Sequence, residues 1–136
     1  MAKVQARSLE KYQILLTTGE HALVADEPAG VGDGIGPDPY ELLLSALGAC
    51  TTMTVQMYAR RKGWQVDDVR SELSFARIHA SDCEDCEQTE GYVERIQVHV
   101  HVEGDLDEAQ KDRLREIATR CPVRKSLLNG LKVVEG

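Results

Sequence analysis

Aromatic side chains are scarce in this 136-residue chain, with one Trp and one Phe, so aliphatic groups must supply most of the buried surface. Basic charge is short as well. Sixteen Lys and Arg stand against 23 Asp and Glu, a net charge of −7 that argues against nucleic acid or an anionic membrane as a partner. No run reads as long as a membrane span, and the N-terminal stretch MAKVQARSLEKYQ lacks the apolar core of a secretory signal, so the expected setting is the cytoplasm. In that compartment the four cysteines, Cys50, Cys83, Cys86 and Cys121, are expected to act as thiols, metal ligands or a redox pair before they act as structural staples. Internal repeats and low-complexity tracts are missing, and the length suits one domain over residues 1–136 with a modest core.

What is present is one long apolar stretch, Gly36 to Gly63, around which the rest can pack. Asp38 suits an N-cap, Pro39 the first helical position, Glu41 completes a capping box, and Gly63 offers a left-handed stop. Apolar residues from Leu42 to Met57 wrap most of the way round this helix, which predicts burial on several sides. Before it, Lys3–Leu9, Tyr12–Thr18 and His21–Asp26 read as three strands of a meander, and the glycine-rich Glu27–Gly36 as a flexible loop. No Lys-Ser/Thr follows the last glycine, so this is not a phosphate-binding loop.

After the helix, Val66–His79 and Gly91–Glu103 alternate as the arms of a long antiparallel hairpin, with Tyr92, Ile96, Val98, Val100 and Val102 facing inward. His99 and His101 then share the wetter face, where ordinary alternation on a solvated surface explains them better than metal binding. An amphipathic helix is expected over Asp105–Arg120, starting with an Asp105–Glu108 capping box and presenting Leu106, Ala109, Leu114, Ile117 and Ala118 inward. Cys121-Pro122 ends it and opens a short helix to Leu128, followed by a last strand, Leu131–Val134. The order of elements argues for an α+β fold with antiparallel sheet laid against a long central helix.

The cysteines differ in setting. Cys121 becomes an N-cap, where free amides, the helix dipole and Arg120, Arg124 and Lys125 favour a thiolate. Cys50 lies about three turns inside a buried helix, where desolvation favours the neutral thiol and a core role. Cys83 and Cys86 form a C-x-x-C in the acidic hairpin loop SDCEDCEQTE, open to three uses: a reversible disulfide, two exposed thiols, or a zinc site completed by His79 with Asp82 or a partner chain. His99 is too far along the strand to join it.

Taken together, GPDPYELLLSALGACTTMTV and, 71 residues beyond its cysteine, CPVRKSLLNGLKVV resemble the OsmC/Ohr family of organic hydroperoxide reductases and stress-induced relatives. The resemblance runs from about Gly34 onward and implies an intertwined homodimer with two cysteines joined at each interfacial active site. By position, Cys50 looks like the attacking thiol, which becomes a sulfenic acid, and Cys121 like the resolving thiol, which closes a disulfide reduced by an external thiol. The peroxidatic members also use an Arg from the N-terminal hairpin and a Glu ten residues before the first cysteine. Here Tyr40 holds that place, Glu41 stands beside it, and Arg7 and Lys11 are the basic residues of the first two strands.

The expected function is therefore thiol-dependent reduction of small or lipophilic hydroperoxides, needing no cofactor, through Cys50 and Cys121 with Glu41 and Arg7 in support. The alternatives are a non-peroxidatic ligand- or metal-binding protein with zinc at Cys83, Cys86 and His79, or thiol or persulfide exchange with a partner protein.

Overall fold

Short alternating segments near the N-terminus pair as an antiparallel meander: β1 (Gln5–Ser8), β2 (Ile14–Thr18) and β3 (His21–Ala25), in the order β1-β2-β3. Each is shorter than its sequence pattern, because the residues between them form the turns. Leu9 N–H donates to the Gln13 carbonyl at 2.9 Å, with Lys11 in the left-handed region at φ 50°, and Gly19 takes φ 56° between the second and third strands. The computed structural model describes residues 1–136, and the chain divides into two units, Met1–Leu43 and Leu44–Gly136.

Within the first unit the glycine-rich loop is held, contrary to the expectation of a flexible connector. Asp26 is buried, and its carboxylate accepts from the amides of Glu27 (2.7 Å), Asp33 (3.2 Å) and Ile35 (3.3 Å). Asp33 in turn pairs with Lys11 at 2.9 Å and accepts from Gln13, tying the loop to the first turn. Gly36 runs so close to the Val24 carbonyl that any Cβ there would collide with backbone.

The long helix α1 spans Pro39–Lys62 and starts with the expected capping box: Glu41 N–H donates to Asp38 Oδ1 (2.8 Å) and Asp38 N–H to Glu41 Oε1 (3.0 Å). Gly63, at φ 68°, ends it. Burial departs from expectation. Only Leu47, Thr51, Val55 and Ala59, one residue per turn along one face, are buried, while Met53 and Met57 stay 55% and 61% exposed. One two-stranded sheet and two short helices cannot cover a helix apolar all round. Another correction concerns length: with 24 residues and a hydropathy of 1.3, α1 is long and apolar enough, by length and composition, to cross a membrane. The three threonines and one serine that break up its apolar run are only mildly polar, and a core helix passes the same test.

In the second unit, β4 (Gln65–His79) and β5 (Tyr92–Asp105) form the expected hairpin, with a register shift between Val66 and Asp68. Leu73 of β4 reaches α1 at Gly48, where a Cβ would meet its Cδ1 at 2.9 Å. The core joins Val55 and Ala59 of α1, Val102 of β5, and Leu114 and Ala118 of α2 (Glu108–Ala118), with Trp64, Val66, Val69 and Val100 packed against it. Tyr92 does not face this core. It is 67% exposed and meets the His79 ring edge-on.

Helix α2 starts later than expected, because Asp107 caps it and Gln110 closes the box, with reciprocal bonds of 2.8 and 2.9 Å. Asp105 ends β5 instead, and Ala109 is exposed. Helix α3 (Pro122–Asn129) follows with Cys121 as its N-cap. Residues Leu131–Val134 form no strand, and Leu131, Val133 and Val134 are exposed.

Two stability changes follow. Leu114→Ala, at a fully buried site, is expected to lower unfolding free energy by about 2–5 kcal/mol in chemical denaturation. Asp26→Ala strips three amides of their acceptor and is expected to lower it by about 1.5–3 kcal/mol and to speed hydrogen exchange at Asp33 and Ile35.

Candidate active site

The Cys-Pro sequence builds one half of the site. With Cys121 as N-cap and Pro122 at the first helical position, the next two amides, of Val123 and Arg124, have no partner within the helix. Arg124 N–H donates to Cys121 Sγ at 3.3 Å, and the Val123 amide acts to favour the thiolate of Cys50. Helix α1 supplies the other half, since Thr51, buried beside Cys50, turns its hydroxyl to Cys121 Sγ at 3.6 Å. The two cysteines, 71 positions apart, therefore come close enough at the start of α3 for the Cys121 thiol to act on that of Cys50.

Their environments are unequal. Cys121 is completely buried, whereas Cys50 is half-buried and accessible from one side. Burial pushes the Cys50 thiol above its ordinary 9.0; the Val123 amide opposes this, and the neighbouring Cys121 adds to it. Thr54, one turn on, also favours the thiolate while its hydroxyl donates to the Cys50 carbonyl at 2.7 Å. Both cysteines carry free thiols.

A cavity of about 670 Å³ lies beside the pair, lined by Thr54, Met57, Ile117 and Pro122 together with Arg60, Arg61 and Arg120. Thr54 is one turn from Cys50 and Pro122 adjoins Cys121, so the cavity wall holds a near neighbour in the chain of each cysteine. Tyr58 borders it too, with its hydroxyl accepting from Arg113 Nε at 3.1 Å, which holds the phenol below its usual range.

The other residues singled out from the sequence stand elsewhere. Arg7 is exposed on β1, and the Glu41 carboxylate is used in capping α1. Cys83 and Cys86 are joined by a disulfide at the hairpin tip, just after a short 3₁₀ turn, Ala80–Asp82. The third ligand-type atom beside those sulfurs belongs to Asp85, not to His79, whose Nδ1 lies 2.7 Å from the Ser81 hydroxyl. His99 and His101 sit on the solvated face of β5, where His101 meets Glu72 at 3.6 Å, as alternation alone explains.

Three contributors were not named from the sequence: Thr51 and the amides of Val123 and Arg124. The amides were implied by Cys121-Pro122, because a proline at the first helical position fixes which N–H groups come next. Thr51 carried no such signal, as threonine inside an apolar helix is ordinary.

The family described as OsmC-like protein matches residues 32–135. Among solved structures, an OsmC-like protein from Mycoplasma pneumoniae is 19% identical, with 94% of this chain and 87% of that one covered and a TM-score of 0.73. An organic hydroperoxide resistance protein OsmC from Legionella pneumophila is also 19% identical, at 93% and 88% coverage and a TM-score of 0.66. The organic hydroperoxide resistance protein OhrB of Bacillus subtilis reaches 22% identity, with 93% and 89% coverage and a TM-score of 0.59. A search among curated proteins finds no match. With its α+β architecture shared by these structures and the family's pattern running through most of its length, this chain belongs to the OsmC-like protein family.

Proposed function

We propose that this protein reduces organic hydroperoxides through Cys50 and Cys121. The observation that carries the reading is the meeting of the two thiols at the first turn of α3, one accessible and one buried. The Cys50 thiolate attacks the distal peroxide oxygen, the O–O bond breaks, and the alcohol leaves after taking a proton, so that Cys50 becomes a sulfenic acid. Cys121 then attacks that sulfur, water leaves, and a disulfide forms, which two equivalents of an external thiol return to the dithiol. Val123 N–H favours the charge on Cys50, and Arg124 N–H and the Thr51 hydroxyl point donors at Cys121. The neighbouring cavity, with methionine, isoleucine and proline in its wall, suits an alkyl group better than a highly polar substrate.

The names of the Legionella and Bacillus structures, both organic hydroperoxide resistance proteins, support the same substrate class. The reading includes a homodimer, in which a second copy covers the exposed Met53 and Met57 of α1. Arg7 and Glu41 are its candidate supporting residues, and the cytoplasm, rich in reducing thiols, is its setting.

Cys50→Ser is expected to bring turnover of tert-butyl hydroperoxide, with a dithiol as reductant, down to the uncatalysed background. Cys121→Ser should instead leave one turnover and a sulfenic acid that dimedone traps, visible as a mass adduct on the Cys50 peptide. Undiminished peroxide consumption by the Cys50 variant sinks the proposal. Because burial raises the Cys50 pKa, its thiolate is scarce near neutrality and grows as pH climbs. The rate constant for its alkylation should therefore rise by about tenfold per unit between roughly pH 6 and pH 8. A rate already level across that range contradicts the dominance of burial.

A further inference from the structure

We propose that the tip of the β4–β5 hairpin is a redox-gated site for a borderline-soft divalent cation of the zinc class, held by Cys83, Asp85 and Cys86. Two sulfurs and a carboxylate oxygen lie within 4.8 Å of one another there. Ligand atoms on a tetrahedral zinc stand about 3.3–3.8 Å apart, so once the Cys83–Cys86 bond is opened the sulfurs must separate to that spacing for all three donors to meet one ion, whose fourth position stays open. Sulfur donors favour zinc over magnesium or calcium, which take oxygen.

The loop is prepared for this. The Ala80 amide bonds the Gly91 carbonyl at 2.7 Å and closes the loop's neck, while Cys83 N–H returns to the Ala80 carbonyl at 3.2 Å and fixes the first ligand. Cys83 is buried, yet its sulfur sits 3.2 Å from Asp85 Oδ1. Asp82, Glu84, Glu87 and Glu90 flank the ligands in the sequence, and no Lys or Arg occurs from Ala80 to Glu94, so the charge of this segment favours cations.

The oxidised pair cannot ligate. A dithiol reductant must first attack one sulfur; the S–S bond takes two electrons, and the reductant leaves as its own disulfide. The two thiols then give up their protons to solvent as their sulfurs bind the metal. This reading is independent of the chemistry at Cys50 and Cys121, and either can fail without the other.

The test uses the full-length protein, reduced with a phosphine and titrated with cobalt(II) under anaerobic conditions. One equivalent of cobalt should give a thiolate-to-metal charge-transfer band that zinc abolishes by displacement. The band should be absent in unreduced protein, lost in Cys83→Ser and in Cys86→Ser, and retained in Cys50→Ala. Asp85→Asn should weaken cobalt binding by at least about tenfold. Circular dichroism matching the parent protein confirms that each variant folds. The proposal is overturned by a reduced protein without the band, by a band that survives Cys83→Ser or disappears with Cys50→Ala, by equal binding to the oxidised protein, or by unchanged affinity in Asp85→Asn.

Discussion

The second unit turns on a single junction, where a buried sulfur caps a helix. Cys121 has no exposed surface, and it accepts from the Arg124 amide behind it and the Thr51 hydroxyl across from it. Proline at the next position removes one amide that would otherwise need a partner and leaves two aimed at sulfur. One of these, the Val123 amide, favours the thiolate of Cys50. The same short turn thus ends α2, starts α3 and joins α3 to α1, so packing and chemistry share one set of atoms.

Burial around that junction follows from geometry. A residue every fourth position along α1, from Leu47 through Thr51 and Val55 to Ala59, faces β5 and α2, and Thr51 is the polar member of this row. Its hydroxyl is satisfied by sulfur, which removes the penalty of a lone buried hydroxyl. Gly48 contributes differently, by letting Leu73 come close to the helix. The methionines on the other side of α1 stay more than half exposed in the single chain.

Most of the architecture was legible because its signals are local. Asp38, Pro39 and Glu41 marked the start of α1, Gly63 its end, and Cys121-Pro122 the break between α2 and α3. The misplaced start of α2 came from two competing acidic caps, and Asp107 prevailed because Gln110 answers it while β5 runs on to Asp105. The supposed strand at Leu131–Val134 had the composition of a strand but joins neither sheet. Asp26 was unreadable as an anchor, since a loop with four glycines signals freedom and the carboxylate that restrains it lies just outside the glycine run. The pairing of Cys50 with Cys121 came from family resemblance, as nothing local to either residue specifies a contact across 71 positions.

Most helices begin on an oxygen from serine, threonine or aspartate, whose chemistry is inert under cellular conditions. Here α3 begins on a thiol. Any bond made at that sulfur alters its charge and its capacity to accept from Arg124, so a covalent event is felt at once as a change in how firmly the first turn is wound. The local order of the C-terminal helix and the chemical state of Cys121 are two readings of one variable.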